Sequence, residues 1–289
     1  MTTTTAAALP PATRRSGLPG ALRSEWTKIR SVRSTVYTLA TTCVVTIGIS
    51  VLFAWGQSES TSKQDLADFD PVRMSMFGIV FGQLVIVVIG VMTLSSEYST
   101  NMIRTSLSAM PRRGVVYSAK LLVFTAVALV TGMFCSFTSY FIGQIFFRTV
   151  HIRELQGNAR HVIAVRDLST TLSTPHVLRA VIGGGLYLTV SALLAFGLAA
   201  LLRHTAGAIT ASIGALFVTF IMTQFLPHDW AAKVDKWVPF LAGSQIWGVR
   251  KLGGSDIPML SPWTGFAMFA AYAAVAIAFG AVLFRRRDA

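Results

Sequence analysis

The chain has 289 residues, of which 53% are apolar and only 13% charged, with a formal net charge of +13 and a mean hydropathy of +0.60. So much apolar surface exceeds what one water-soluble core can hide, which excludes an ordinary soluble domain. A pI near 10.6 points to nucleic acid in a soluble protein, but here the basic residues sit at the junctions of long apolar runs, where they set membrane topology. No nucleic-acid partner is expected.

In chain order, residues 1–17 are rich in Thr, Ala and Pro, with Arg14 and Arg15. They read as a disordered polar leader without the apolar core of a signal peptide. Over 18–34, Leu22, Trp26 and Ile29 recur at helical spacing, with Arg23, Lys28 and Arg30 on other faces. That pattern predicts an amphipathic helix in the membrane interface, its Trp at headgroup depth; a straight extension of the first span is the alternative. Residues 35–289 form the transmembrane domain. Its six apolar runs, at about 35–55, 76–95, 115–147, 178–202, 206–226 and 263–284, each supply roughly the 20 residues a spanning helix needs. The third would reach ~50 Å at helical rise, so it starts among the headgroups, tilts, or breaks near Gly132. Gly78 and Gly82 permit close helix approach in the second span.

Between the spans, 56–75 reads as a polar, acidic loop, and 148–177 as a longer one whose alternation from His161 to Leu172 predicts partial structure. Residues 202–205 form a tight turn. Within 227–262, residues 231–238 read as an amphipathic turn or two broken by Pro239, and part of this segment is either a surface loop or a re-entrant hairpin. Trp237, Trp247 and Trp263 suit an outer aromatic belt.

Partitioning the junctions puts fourteen Lys and Arg against three acidic residues on one side, and eleven against nine on the other. The positive-inside rule then predicts an all-α polytopic protein with both termini cytoplasmic. Arg148, Arg153, Arg160, Arg166 and Arg179 run against that rule around 148–179.

The chain has no GxxxxGK[ST] loop, no HExxH, no G-x-S-x-G and no His pair at i, i+4, so neither a metal site nor an enzyme is expected. Cys43 and Cys135 fall in different spans and read as small buried residues rather than a disulfide. No span carries a charge at its middle, which counts against an ion-coupled carrier. Gln83, Gln144 and Gln224 either line a path for an amphipathic or lipid-like substrate or hydrogen-bond between helices.

The most informative loop runs from Ser96 to Gly114. Ser96 caps a predicted short helix with Glu97 in its first turn. Met102, Ile103, Leu107 and Met110 give it an apolar face, and Pro111 ends it. Such a face invites a protein partner; a helix flat on the inner leaflet is the alternative. This Glu-led segment, closing on Pro111-Arg112-Arg113 and followed by Ala119-Lys120, resembles the cytoplasmic loop of ABC-2 type transporter permeases. Leu22-Arg23-Ser24-Glu25-Trp26-Thr27-Lys28-Ile29-Arg30 is similar to the opening of many actinobacterial subunits of that family. Leu202-Arg203-His204-Thr205-Ala206-Gly207 resembles their turn between the fourth and fifth spans, and Arg285-Arg286-Arg287-Asp288-Ala289 their ending. Asn101 stands where Gly is expected.

The resemblance implies a six-span ABC-2 permease fold in a bacterial plasma membrane, working as a homodimer or heterodimer with two copies of an ATP-binding subunit. It implies that Glu97, Tyr98, Asn101, Met102, Ile103, Arg104, Leu107 and Met110 form the coupling helix on the ATPase. Leu22, Trp26, Ile29 and Arg30 would lie on the interfacial helix, in contact with membrane lipid, and 227–262 would hold an external re-entrant hairpin. No cofactor binds this chain on that reading; ATP and Mg sit on the partner subunit. The implied activity is export of a lipophilic, peptide or lipid-like substrate. An ion-coupled secondary transporter and a non-transporting anchor or sensor subunit are the competing readings.

Overall fold

Helix α1 (Leu18–Ser31) carries a proline in its first turn and ends at Val32, whose extended backbone (φ −83°, ψ 105°) breaks the path into α2 (Arg33–Ser60). The alternative of one straight helix therefore fails. The computed structural model describes residues 17–62, 66, 69–99, 112–156, 159–227, 230, 233–250 and 259–286; the leader's residues 1–16 lie outside them. After the two-residue strand β1 (Thr61–Ser62), Asp70 caps the short α3 (Pro71–Ser75) by accepting from the Val72 and Arg73 N–H groups. A turn over 76–78 leads into α4 (Ile79–Ser99). Helix α5 (Arg113–Phe146) is followed by strands β2 (Val150–Gln156) and β3 (Ala159–Arg166). Helix α6 (Val177–Leu202) turns at Arg203 and His204 into α7 (Thr205–Thr223), which contains a π turn over Gly214–Val218. The chain then forms α8 (Pro239–Ser244), a 3₁₀ turn (Gln245–Trp247) and α9 (Pro262–Arg286).

Six of these helices, α2, α4, α5, α6, α7 and α9, are long and apolar enough to cross a bilayer. Helix α6 is the hub. It is the most buried of the six, and α4, α5, α7 and α9 all pack on it. Small residues make that possible. A Cβ on Gly132 of α5 would lie 2.6 Å from the Gly185 carbonyl oxygen, and one on Gly185 would lie 2.9 Å from the Met133 backbone. Helix α5 is continuous through Gly132, so that glycine marks a close contact between backbones and no break. Gly78 and Gly82 likewise face Thr46 of α2 with no room for a Cβ, and the Gly78 N–H donates to Ser50 Oγ over 3.0 Å. Their spacing serves packing within one chain.

The helical architecture stands as expected, with one addition: β1, β2 and β3 form a three-stranded sheet, β1 parallel and β3 antiparallel to β2, with a bulge at Ile152/Arg153, and β3 falls where the alternation from His161 predicts partial structure. Val150 anchors it beside Ala54, Phe69 and Phe147. Pro239 ends the preceding turn as expected, with Val238 before it extended (ψ 126°), and it also opens the next helix, because its missing N–H costs nothing at a first helical position. Phe240 to Trp247 are all buried against α6 and α9. Trp247 is therefore a core residue at 2% exposure, unlike the exposed Trp237 and Trp263. Cys43 and Cys135, in different spans as expected, are neighbours. Packing of α2 on α5 brings their Sγ atoms to 3.6 Å, both thiols being free.

Candidate functional site

At the α1 end of the bundle, four charged side chains close into a ring. Lys120 Nζ of α5 donates to Glu25 Oε2 of α1 (2.7 Å) and to Glu97 Oε1 of α4 (2.9 Å). Lys28 Nζ of α1 donates to Glu25 Oε1 and Glu97 Oε1, both at 2.9 Å. Signs alternate around the ring, and its formal charge is zero. Glu25, Glu97 and Lys120 are buried, whereas the Lys28 side chain is 30% exposed. Buried ions are tolerable only when paired and hydrogen-bonded in this way. For Lys28, burial on its own would lower the pKa, but hydrogen bonds and charge from Glu25 and Glu97 outweigh it and raise the pKa above its ordinary 10.5.

The ring forms because each helix presents the needed side chain where the three meet. In α1, Ala21, Glu25 and Lys28 lie three and four residues apart on one face, and Ala21 and Glu25 are buried as α1 packs on α5. This is a different face from the expected stripe: Leu22 and Ile29 are half-buried, while Trp26 and Arg30 are exposed. Beside the ring opens a cleft of about 210 Å³ lined by Lys28, Thr35, Thr38, Thr93, Ser96 and Glu97 among others. Thr38, Thr93 and Ser96 donate their hydroxyl protons to carbonyls four residues earlier.

Ser96 and Glu97 were expected to begin a short helix. They instead belong to the last turn of α4, which continues to Ser99. Glu97 consequently points into the bundle and is held by two lysines of its own chain. Tyr98 packs under Arg203 of the α6–α7 corner, with the guanidinium 5.1 Å from the ring centroid. Asn101, Met102, Ile103, Arg104, Leu107 and Met110 lie outside the described residues.

The three glutamines do not come together. Gln83 is fully buried and accepts from Tyr187 Oη at 2.5 Å. Gln144 joins α5 to α3 and to the loop after β3, donating to Ser75 Oγ (2.8 Å) and accepting from the Thr170 N–H (2.6 Å). Gln224 is exposed. Gln144 is thus engaged in hydrogen bonds to α3 and a loop, and Gln83 bonds between helices through its amide oxygen. Glu25 was missed by sequence reasoning because a glutamate among Arg23, Lys28 and Arg30 reads as interfacial charge. The available signal was Lys120, a cation well inside an apolar helix that demanded an acid nearby.

A second polar cluster sits at the opposite, hairpin end. Asp70 Oδ2 accepts from the Val249 and Arg250 N–H groups at 2.7 and 2.8 Å while Oδ1 caps α3. Arg73, 7% exposed, lies with its guanidinium 4.8 Å from the Trp247 ring centroid. It reaches the Ser244 and Arg250 carbonyls at 3.4 and 3.5 Å. Burial pushes its pKa down to about 10, Asp70 opposing that shift and Arg179 adding to it, so it stays charged at neutral pH. Arg179 of α6 donates to the Gly248 carbonyl at 2.7 Å. No protein-family model matches this chain, and no curated protein matches it either.

Proposed function

We propose that this chain is the membrane-spanning permease subunit of an ATP-driven exporter of the ABC-2 type, with a lipophilic, peptide or lipid-like substrate. In this reading two ATP-binding subunits dock near residues 97–110 of a permease dimer, both termini face the cytoplasm, and nucleotide binding displaces the docked segment. The observation that carries the reading is the ion ring. It joins three of the segments that hold family-like residues: the Glu25 to Lys28 opening, the Glu97 turn that precedes the loop, and Lys120 at the start of the following span. A push on the loop at Ser99 would pass through Glu97 to α1 and α5 together, and such a linkage is what coupling a remote ATPase to membrane helices requires.

The test is co-purification and stimulated ATP hydrolysis with the neighbouring ATP-binding subunit. Met102→Asp is expected to weaken the association itself. Glu97→Gln is expected to leave the association in place and reduce the stimulated rate, because its carboxylate acts inside the permease. Cargo movement by the reconstituted chain alone, collapsing with an ion gradient and indifferent to nucleotide, would overturn the reading and recast the ring as an ion-coupling site.

A further inference from the structure

Among the described residues, the pair Arg73 and Arg179 is short of negative charge and of acceptors. Arg73 feels one carboxylate, Asp70, and one like charge, Arg179. Asp70 already serves four backbone N–H groups. Three donors in the cluster have no partner: Arg73 Nη1, Arg179 Nε and Trp247 Nε1. Arg73 and Trp247 are 7% and 2% exposed, so bulk water does not reach them freely, and each buried unmet donor costs about 1–3 kcal/mol, more on a charged group.

We propose that Arg73, Arg179 and Trp247 bind a small monatomic anion of the chloride class. One negative charge balances the two guanidinium groups against Asp70, and a spherical acceptor takes N–H donors from several directions at once. Gly248 packs directly against the other edge of the Arg73 guanidinium, with no room there for a Cβ, so the group is held in place while Nη1 stays unmet. Trp247 contributes twice, its ring face holding the guanidinium and its N–H supplying a donor. Arg179 is only partly buried. The site stands whatever the chain transports.

The experiment uses the full chain in detergent, with thermal unfolding followed in sodium chloride, bromide, gluconate and phosphate at matched ionic strength. Chloride and bromide are expected to raise the melting temperature by roughly 3 °C over gluconate, saturably. Broadening of the chloride-35 NMR line is expected to titrate over the same range. Trp247→Phe keeps the ring and removes the N–H; it is expected to shift the chloride midpoint about tenfold, as loss of one hydrogen bond to a charged group implies. Arg73→Gln is expected to abolish the effect. Equal melting in chloride and gluconate overturns the proposal, as does a chloride midpoint unchanged in Trp247→Phe. Stabilisation by phosphate without chloride overturns the monatomic assignment.

Discussion

Lys120 shows how one side chain dictates its surroundings. It lies seven residues into an apolar helix at 4% exposure, where an unpaired ammonium would cost many kcal/mol. Glu25 and Glu97 remove that cost, and their own burial is made tolerable by the lysines in return. Lys120→Met should destabilise the purified protein by about 3 kcal/mol, because it leaves two buried carboxylates sharing one lysine; thermal unfolding in detergent reads the loss. Adding Glu97→Gln should restore part of the stability, a non-additivity expected of residues within one network. Lys28 supplies a pH signature. Its folded pKa is raised, so its contribution is complete below pH 10.5 and disappears as pH climbs through the higher folded value. Melting temperature should fall above pH 10.5 more steeply in the wild type than in Lys28→Met. At this scale the sequence was only half legible. It exposed each charge but not the pairing, because Glu25 and Lys120 are 95 residues apart and only the docking of α1 on α5 joins them.

Among the elements, the six long helices were readable because length and hydropathy suffice to specify a spanning helix. Short pieces were read poorly, the alternation from His161 being the one hint of β3. Helix α3, helix α8 and the β2–β3 hairpin each owe their form to neighbours: Asp70 bonding the 249–250 backbone, Phe240 packing beneath α7, Val150 fitting against Phe147. Alternation can suggest a strand, but no local periodicity announces which neighbour supports it. Helix pairing was equally hidden, and two experiments probe it. Gly185→Val should separate α5 from α6 and lower the melting temperature sharply. Gly48→Ala, whose Cβ would meet nothing within 4 Å, should instead be neutral or stabilise α2 by up to about 1 kcal/mol. Mild oxidation should join Cys43 to Cys135, read as loss of both thiols to maleimide labelling without dimer formation; persistent labelling of both would contradict the α2–α5 packing.

Across the whole molecule, α4 connects the two polar clusters. Its 21 residues, about 31 Å of helix, run from the turn after Arg73 to Glu97, while the hub α6 meets it along the way. Topology alone could not have placed charge at both ends of one helix, since Asp70 and Arg73 read from sequence as parts of a polar loop. Helix α6 is bracketed by two left-handed residues that are not glycine, His176 (φ 69°) and Arg203 (φ 53°). Glycine would adopt that backbone with less strain, so position 203 trades conformational ease for a side chain. The guanidinium over Tyr98 is what the trade secures. It acts as a latch, fastening the final turn of α4 to the corner between two other helices, so a tug on Ser99 must either lift Tyr98 from beneath Arg203 or swing the corner along with it.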